Sequence, residues 1–284
     1  MLVSMKFGFH VSISGSVDRA VDRAVQLGCD TFQIFTRNPR RWKSRELKHE
    51  EIELFREKRK KEGLNPVFGH MPYLPNLATP RDDMYERSVQ SLAEGLLRCE
   101  VLGIPYLVTH LGSHLGSGSI FGVRRVQAAL DSVLGKDSGG VVLLLENTSG
   151  SSNGVGSDLG ELGVILEGLR FGDRVGVCFD TCHGFAAGYD LRCVEAVGGV
   201  VGLIESVVGL DRVGLVHLND CLGGLGSHVD RHEHVGLGGI GLEGFHALLR
   251  SPLGVKPMVL ETPVDDRRSD ADNLAVVRGL AAGL

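Results

Sequence analysis

The sequence predicts an α/β protein that folds as a single (β/α)8 TIM barrel, with a metal cluster at the carboxyl-terminal rim of the strands. Short apolar segments alternate with amphipathic segments about eight times along the 284 residues, and this alternation is typical of a parallel sheet. Eight such units in this length fit a closed barrel. An open, doubly wound sheet is disfavoured because no G-x-G-x-x-G follows the first predicted strand. No linker or internal repeat is visible, so residues 1–284 are expected to form one domain.

The predicted strands are short runs rich in apolar and β-branched residues, as expected for strands buried on both faces. They are Lys6–Ser12, Thr31–Phe35, Pro66–His70, Tyr106–His110, Val141–Glu146, Val175–Asp180, Val213–Asn219 and Met258–Glu261. The predicted helices carry an apolar stripe, and three of them end at a glycine. They are Val17–Leu27, Leu47–Glu62, Asp82–Leu102, Gly122–Leu134, Leu159–Leu169, Leu191–Val208, Leu242–Leu249 and a last helix from about Asp270. A long polar loop containing D-R-H-E-H is expected after the seventh strand.

The composition is that of a globular protein, with 43% hydrophobic and 23% charged residues. The net charge of −5 does not by itself indicate a nucleic acid or an anionic membrane as partner. No signal peptide is visible, and glycines and glutamates interrupt the most apolar window, Val194–Leu210. The six cysteines form no C-x-x-C pair. We therefore expect a cytoplasmic protein with reduced, buried thiols and no membrane contact, although Cys178 and Cys182 flank Asp180 and could act as ligands.

Residues that commonly bind metals stand at or just beyond the ends of six consecutive predicted strands. They are His70, His110, Glu146, Asp180, His183, His217, Asp230, His232 and Glu261. In a (β/α)8 barrel all these strand ends lie on one rim, which carries the active site. A single histidine there is more often structural, and a single carboxylate more often caps a helix. Those explanations do not account for six successive coincidences, so the pattern favours a metal site.

Nine such residues exceed the needs of one tetrahedral site and suffice for two or three metals, with bridging carboxylates. His183, Asp230 and His232 could form one three-ligand site with an open position. The imidazoles favour Zn²⁺, Mn²⁺ or Fe²⁺ over Mg²⁺ or Ca²⁺. Three divalent ions would change the formal charge from −5 to about +1, which is compatible with a phosphate substrate. Paired metals are suited to the hydrolysis of phosphate esters.

A basic segment lies on the same predicted rim. Thr36–Arg45 holds five basic residues beside Trp42, a composition that can follow a phosphate backbone and stack on a base. Tyr73 and Leu74 follow His70 and could wedge into a duplex. The plain alternatives are a solvated charged loop for the first segment and packing on the barrel rim for the second.

Several motifs, taken in order, resemble the endonuclease IV family of apurinic/apyrimidinic (AP) endonucleases. The central one is G-V-C-F-D-T-C-H-G-F-A-A-G-Y-D (Gly176–Asp190), and the second joins H-L-N-D (His217–Asp220) to Gly226–Gly241. Further matches are F-H-V-S-I-S-G, H-M-P-Y-L-P-N-L-A, V-T-H-L-G-S-H, L-E-N-T-S-G and L-E-T-P. The resemblance spans nearly the whole chain. Cys221 and Leu222 depart from the usual Ser or Ala followed by Lys, which removes a basic contact, and Gly184 replaces an aliphatic residue.

The resemblance implies three zinc ions, with Mn²⁺ or Fe²⁺ possible in one site. The first ion would be held by His70, His110 and Glu146, and the third by His183, Asp230 and His232. The second would be held by Glu146, Asp180, His217 and Glu261, so that Glu146 bridges two ions.

The resemblance also implies cleavage of duplex DNA on the 5′ side of an abasic site, leaving a 3′-hydroxyl and a 5′-deoxyribose phosphate. Trimming of blocked 3′ ends is expected as well. Arg40, Tyr73 and Leu74 match positions that fill the gap left by the flipped-out nucleotide. We expect metal-assisted hydrolysis in which Glu146 and Glu261 are catalytic and Glu261 orients or deprotonates the attacking water. A monomer without an obligate protein partner is expected from the same resemblance.

Two other functions compete with this one. A sugar isomerase or epimerase of the xylose-isomerase type shares the barrel and a carboxylate–histidine metal site. Its site typically needs fewer ligands, so His70, His110 and the D-R-H set favour the nuclease. A non-catalytic protein that binds damaged DNA or metal is disfavoured because it has no need for a complete ligand set.

Overall fold

The strands of the barrel follow the predicted order along the chain. The computed structural model describes residues 5–151 and 153–284. Its strands are β1 (Phe7–His10), β2 (Thr31–Phe35), β3 (Val67–His70), β4 (Tyr106–Thr109), β5 (Val142–Glu146), β6 (Val175–Asp180), β7 (Val213–His217), β8 (Asp220–Cys221), β9 (His232–Glu233) and β10 (Met258–Leu260). Parallel pairing closes β1–β7 and β10 into a barrel, while β8 and β9 form a small separate sheet. The predicted (β/α)8 fold is therefore confirmed.

Helices connect the strands and cover the outside of the barrel. They are α1 (Arg19–Gln26), α2 (His49–Lys61), α3 (Asp82–Leu102), α4 (Ser119–Leu134), α5 (Leu159–Glu167), α6 (Thr181–Ala187), α7 (Val194–Val207), α8 (Gly241–Arg250) and α9 (Asp270–Ala282). Their apolar faces and the outward side chains of the strands form the larger hydrophobic core. None of the helices in the described part of the chain has the length and hydropathy that a membrane span requires.

The interior of the barrel contains a separate apolar layer. Its buried members are Phe68, Val108, Leu144, Cys178, Leu215 and Val259, from six different strands. Side chains alternate between the two faces of a strand, so the next inward position lies two residues further along. Those positions hold His70, His110, Glu146, Asp180, His217 and Glu261. The predicted metal ligands of the strands thus rest directly on an apolar floor.

The segment after β6 differs from the prediction of one helix over Leu191–Val208. The chain instead forms α6 immediately after β6 and then α7, which begins at Val194. The Asp180 carboxylate caps α6 because its Oδ1 accepts a hydrogen bond from the His183 backbone N–H at 2.7 Å. With seven residues, α6 is too short to give a clear periodic signal.

The region after β7 also has more structure than the predicted polar loop. β8 and β9 pair as antiparallel strands, with Cys221 opposite His232. The fully buried Asp220 carboxylate accepts hydrogen bonds from the backbone N–H groups of Cys221, Gly236, Gly238 and Ile240, at 2.8 to 3.0 Å. This anchor holds the segment that follows His232 in the sequence.

We expect Asp220→Asn to lower the free energy of unfolding by about 3 kcal/mol, because the amide nitrogen would oppose buried backbone donors. The measurement is urea denaturation in the presence of a chelator, so that bound metal does not contribute. Asp211→Asn, at an exposed position, is the control. Equal stabilities of the two variants would contradict the anchoring role.

Candidate metal centre

Glu146, at the end of β5, lies at the centre of the rim and is 1% exposed. Its Oε2 lies 3.1 Å from His70 Nε2 and 3.2 Å from His110 Nε2. Its Oε1 lies 3.2 Å from Nδ1 of both His183 and His217. One carboxylate therefore contacts four imidazoles, and each of its oxygens faces a different pair.

The first candidate group is His70, His110 and Glu146. The His70 Nδ1–H donates to the Met71 carbonyl at 2.6 Å, so its Nε2 lone pair faces Glu146. Hydrogen bonding of one ring nitrogen to a backbone carbonyl is how proteins orient a histidine ligand. The His110 side chain is 33% exposed, so this group opens toward solvent.

The second candidate group is Glu146, Asp180, His217 and Glu261. His217 Nδ1 is its centre, 3.7 Å from Asp180 Oδ2 and 3.5 Å from Glu261 Oε2. Asn219 donates a hydrogen bond to Asp180 Oδ2 at 2.8 Å. Asp180 thus caps α6 with one oxygen and faces the group with the other. His217 and Asp180 are fully buried, so this is the most enclosed group.

The third candidate group is His183, Asp230 and His232. His183 Nε2 lies 3.1 Å from Asp230 Oδ1, and the Asp230 side chain is 53% exposed. The His232 Nδ1–H donates to the Glu261 carbonyl at 3.0 Å. His232 Nε2 is buried and has no hydrogen-bond partner in the described part of the chain. It lies 4.0 Å from Asp230 Oδ1 and 3.7 Å from Asp180 Oδ2.

In each of the three groups, the candidate ligand atoms lie within 4.8 Å of one another. The structure thus brings together all nine residues that the sequence singles out, in the three sets expected from the resemblance. Their role as ligands stays a prediction. Groups of three or four nitrogen and oxygen donors suit a divalent transition metal.

The electrostatics of the rim favour cations. Burial disfavours the charged form of Glu146, but His110, His217 and His183 hold the pKa of this carboxylate well below its usual range. Burial likewise disfavours the charged form of His183, yet Asp180, Asp230 and Glu146 raise its pKa well above the ordinary value. The buried Glu146 carboxylate is therefore ionised and is stabilised by positive charge close by.

Cys178 and Cys182, which flank Asp180, are both buried, as the sequence predicts, and neither forms a disulfide. Burial raises the pKa of Cys178 to about 12. Cys182 lies within reach of Asp180 and His232 as a further possible ligand, but a hydrogen bond with Cys221 and burial raise the pKa of its thiol.

The residues expected to contact DNA lie on loops of the same rim. Tyr73 is 66% exposed, and its ring stands edge-on to Phe35 with the centroids 5.1 Å apart. It also lies 6.4 Å from the ring of His70, at the edge of the first group. Leu74 is half-buried, and Arg40 is exposed on the connection between β2 and α2. Their contact with DNA stays a prediction.

Only part of the basic segment is free to bind a ligand. Arg37 is buried and paired with Glu94 at 2.7 Å, and Arg45 is paired with Glu51 at 2.7 Å. Trp42 is covered by the guanidinium of Arg87, 4.4 Å from the ring centroid. In residues 5–151 and 153–284, the cations of this segment without a carboxylate partner are Arg40, Arg41 and Lys43.

Two polar residues of the rim were missed by the sequence analysis. His10 ends β1 and Gln33 lies in β2, and both contact Glu261 Oε1, at 2.8 and 2.9 Å. They occupy the positions two residues after the inward-facing Gly8 and Thr31. The two-residue step that selects the six ligand-type residues of the other strands would have found them.

Comparison with known proteins places the chain in a family. The family model described as a Xylose isomerase-like TIM barrel matches residues 21–281. A probable endonuclease 4 from Methanoculleus marisnigri is 54% identical over 277 residues, covering 96% of this chain and 98% of the relative. The chain belongs to the endonuclease IV family. The predicted family and the prediction of a nuclease of the hydrolase class are therefore confirmed.

Solved structures agree with membership of the endonuclease IV family. Endonuclease IV from Thermus thermophilus matches with a TM-score of 0.87 and 39% identity, covering 98% of this chain and 100% of that chain. A D-tagatose 3-epimerase-like protein matches with a TM-score of 0.74 but only 18% identity, covering 98% of this chain and 97% of that chain. The second likeness shows a shared fold and leaves the sugar-isomerase alternative without further support. Together with the three groups, membership supports metal dependence.

We expect Zn²⁺ to raise the unfolding temperature of the chelator-treated protein, because each group holds imidazole nitrogens and carboxylate oxygens within 4.8 Å of one another. A ligand of the folded state at 100 times its Kd adds about 2.7 kcal/mol of stability. The measurement is scanning calorimetry with and without zinc. Calcium, which prefers oxygen ligands, is the control and should stabilise less. Identical unfolding temperatures with and without zinc would contradict a metal centre.

Proposed function

We propose that the chain is a DNA-repair enzyme that hydrolyses the phosphodiester 5′ to an abasic site in duplex DNA. The products are a 3′-hydroxyl and a 5′-deoxyribose phosphate, and the same site trims blocked 3′ ends. The observation that carries the proposal is the convergence of three groups of candidate metal ligands around Glu146, in a chain 54% identical to a probable endonuclease 4.

The metals we propose are three Zn²⁺ ions, with Mn²⁺ or Fe²⁺ able to replace one of them. The donor set fits zinc because each group offers imidazole nitrogen together with carboxylate oxygen. The buried His232 Nε2, which lacks a hydrogen-bond partner among the described residues, supports a ligand at the third group. When bound, such ions lower the pKa of water and stabilise negative charge on phosphate oxygens.

Glu146 and Glu261 are the two proposed catalytic residues. Glu146 directs its two oxygens to different groups and thereby fixes their spacing. Glu261 Oε1 is engaged by His10, whereas Oε2 faces the second group, 3.5 Å from His217 Nδ1. Glu261 Oε2 has two lone pairs, so besides facing the second group it can accept a hydrogen bond from the attacking water and orient it toward phosphorus.

DNA would enter over the exposed loops that surround the rim. A target nucleotide must leave the stack to reach a site recessed at strand ends. Tyr73 and Leu74 supply an aromatic and an apolar side chain beside the first group. Arg40 supplies a positive charge from the neighbouring loop. We propose that these three side chains occupy the gap in the duplex from the minor groove.

The direct test is incision of a labelled duplex that contains one abasic site. We expect a single nick on the 5′ side that leaves a 3′-hydroxyl, and loss of the nick after the metals are removed by a chelator. Restoration by zinc would tie the activity to the metal centre. A metal-loaded protein that leaves the duplex intact, or one that converts ketoses, would overturn the proposal in favour of the binder or the isomerase.

We expect Glu146→Gln to reduce the zinc content by about two ions per chain, because Glu146 belongs to two groups. Asp230→Asn is the matched comparison and should remove about one ion, because Asp230 belongs to one group. Zinc content is measured by atomic emission after dialysis. The same loss from both variants would argue against a bridging role for Glu146.

We expect Glu261→Gln to lower the incision rate at least about 100-fold, because the amide loses both the charge and the ability to accept a proton. The fold should persist, and circular dichroism checks it. The rate is measured in single turnover with zinc in excess. A rate close to that of the wild type would remove Glu261 from the catalytic set.

We expect Arg40→Ala to weaken binding to abasic duplex by about tenfold and to reduce the salt dependence of binding. Fluorescence anisotropy at several salt concentrations provides both values. Lys136→Ala is the control, because Lys136 is exposed in the turn before β5, at the opposite end of the barrel. An affinity unchanged by Arg40→Ala would indicate that this loop is a solvated surface that does not bind DNA.

A further inference from the structure

The inward-facing polar layer of the rim continues into the two strands that supply no predicted metal ligand. β1 contributes His10 and β2 contributes Gln33. Gln33 is fully buried, and the His10 side chain is 12% exposed. Neither residue belongs to any of the candidate groups in the described part of the chain. Both nevertheless contact residues of the second group.

Gln33 joins two members of the second group through the two ends of one amide. Its Oε1 accepts a hydrogen bond from His217 Nε2–H at 2.9 Å. Its Nε2 donates to Glu261 Oε1 at 2.9 Å. Because the amide is planar, these two contacts fix the relative orientation of the imidazole and the carboxylate.

The contact with Gln33 also selects the tautomer of His217. A histidine that binds a metal is neutral and carries one hydrogen, and in His217 that hydrogen lies on Nε2 because its partner there is the Gln33 carbonyl oxygen. Nδ1 is then left with a lone pair. That atom faces Glu146 Oε1 at 3.2 Å and Asp180 Oδ2 at 3.7 Å, so the lone pair points into the second group.

His10 completes the arrangement from the other side. Its Nδ1 lies 2.8 Å from Glu261 Oε1 and 2.9 Å from Gln33 Nε2. Because the ionised carboxylate can only accept, we assign the hydrogen to Nδ1, which donates to Glu261 beside the Gln33 amide. Two donors thus converge on Oε1, and Oε2 is the oxygen left for the second group. The ring of Phe35, with its centroid 4.2 Å from that of His10, holds the imidazole in place.

We propose that His10 and Gln33 are positioning residues that present Glu261 Oε2 and His217 Nδ1 to the metal of the second group and set its affinity. This inference rests on the proposed metal centre and adds residues to it. Loss of such supporting hydrogen bonds typically weakens metal binding about 10- to 100-fold. The first and third groups, which neither residue contacts through a hydrogen bond, should keep their affinity.

The test uses the full-length protein, stripped of metal and titrated with Zn²⁺ alone against a chromophoric chelator. Gln33→Met keeps the volume but removes both polar ends, and His10→Leu removes the donor. His10→Asn is the conservative variant, because its amide N–H can replace Nδ1–H. Thr31→Val is the matched control, because Thr31 lies in the same strand as Gln33. It removes a hydrogen bond to the Pro66 carbonyl without touching the groups.

We expect Gln33→Met and His10→Leu to bind one of three zinc ions about 10- to 100-fold more weakly and the other two normally. His10→Asn should bind within about threefold of the wild type. The metal-free forms of Gln33→Met and Thr31→Val should unfold at similar urea concentrations, while Thr31→Val keeps all three affinities.

Two results would overturn the inference alone: wild-type affinities in both Gln33→Met and His10→Leu, or an equal loss in Thr31→Val. If the wild-type protein binds no zinc, the proposed metal centre is wrong, and the inference about His10 and Gln33 is then wrong as well. Because the probe is the metal alone, neither outcome depends on whether the protein incises DNA.

Discussion

The buried carboxylate of Glu146 is the interaction on which the rest of the rim depends. A charge that leaves water costs several kcal/mol unless nearby groups of opposite charge compensate it. Here His110, His217 and His183 lower the pKa of this carboxylate, and His70 also contacts it. Four segments of the chain must therefore bring an imidazole to the same carboxylate. A divalent cation beside either oxygen of Glu146 would compensate the charge of this carboxylate more fully.

The geometry of the barrel brings these side chains together. Parallel strands deliver their carboxyl ends to one rim, and the two-residue alternation places one inward side chain of each strand at that level. The apolar layer beneath, from Phe68 to Val259, excludes water from below. Elements outside the barrel supply the rest. The β8–β9 pair, anchored by Asp220, carries His232, and loops carry the side chains proposed to meet DNA.

How much the sequence predicts depends on whether the signal is local. The alternation of strands and helices is local, and so is the residue type at each strand end, which is why the fold and the nine candidate residues were predictable. The inward positions of His10 and Gln33 follow from the same two-residue step, but their contacts with Glu261 were hidden, because they form only when β1 pairs with β10 and the barrel closes. The ion pair between Arg37 and Glu94 was hidden for the same reason, because Glu94 lies on α3, far from Arg37 in the sequence.

The central claim is that Glu146 bridges two metal ions at the rim, and diffraction from zinc-soaked crystals would test it most directly. Data collected above and below the zinc absorption edge locate each ion without reference to the protein. We expect three anomalous peaks, with the two oxygens of Glu146 beside different ions and the third ion beside Asp230. A single peak, or a Glu146 carboxylate that binds only one ion, would contradict it.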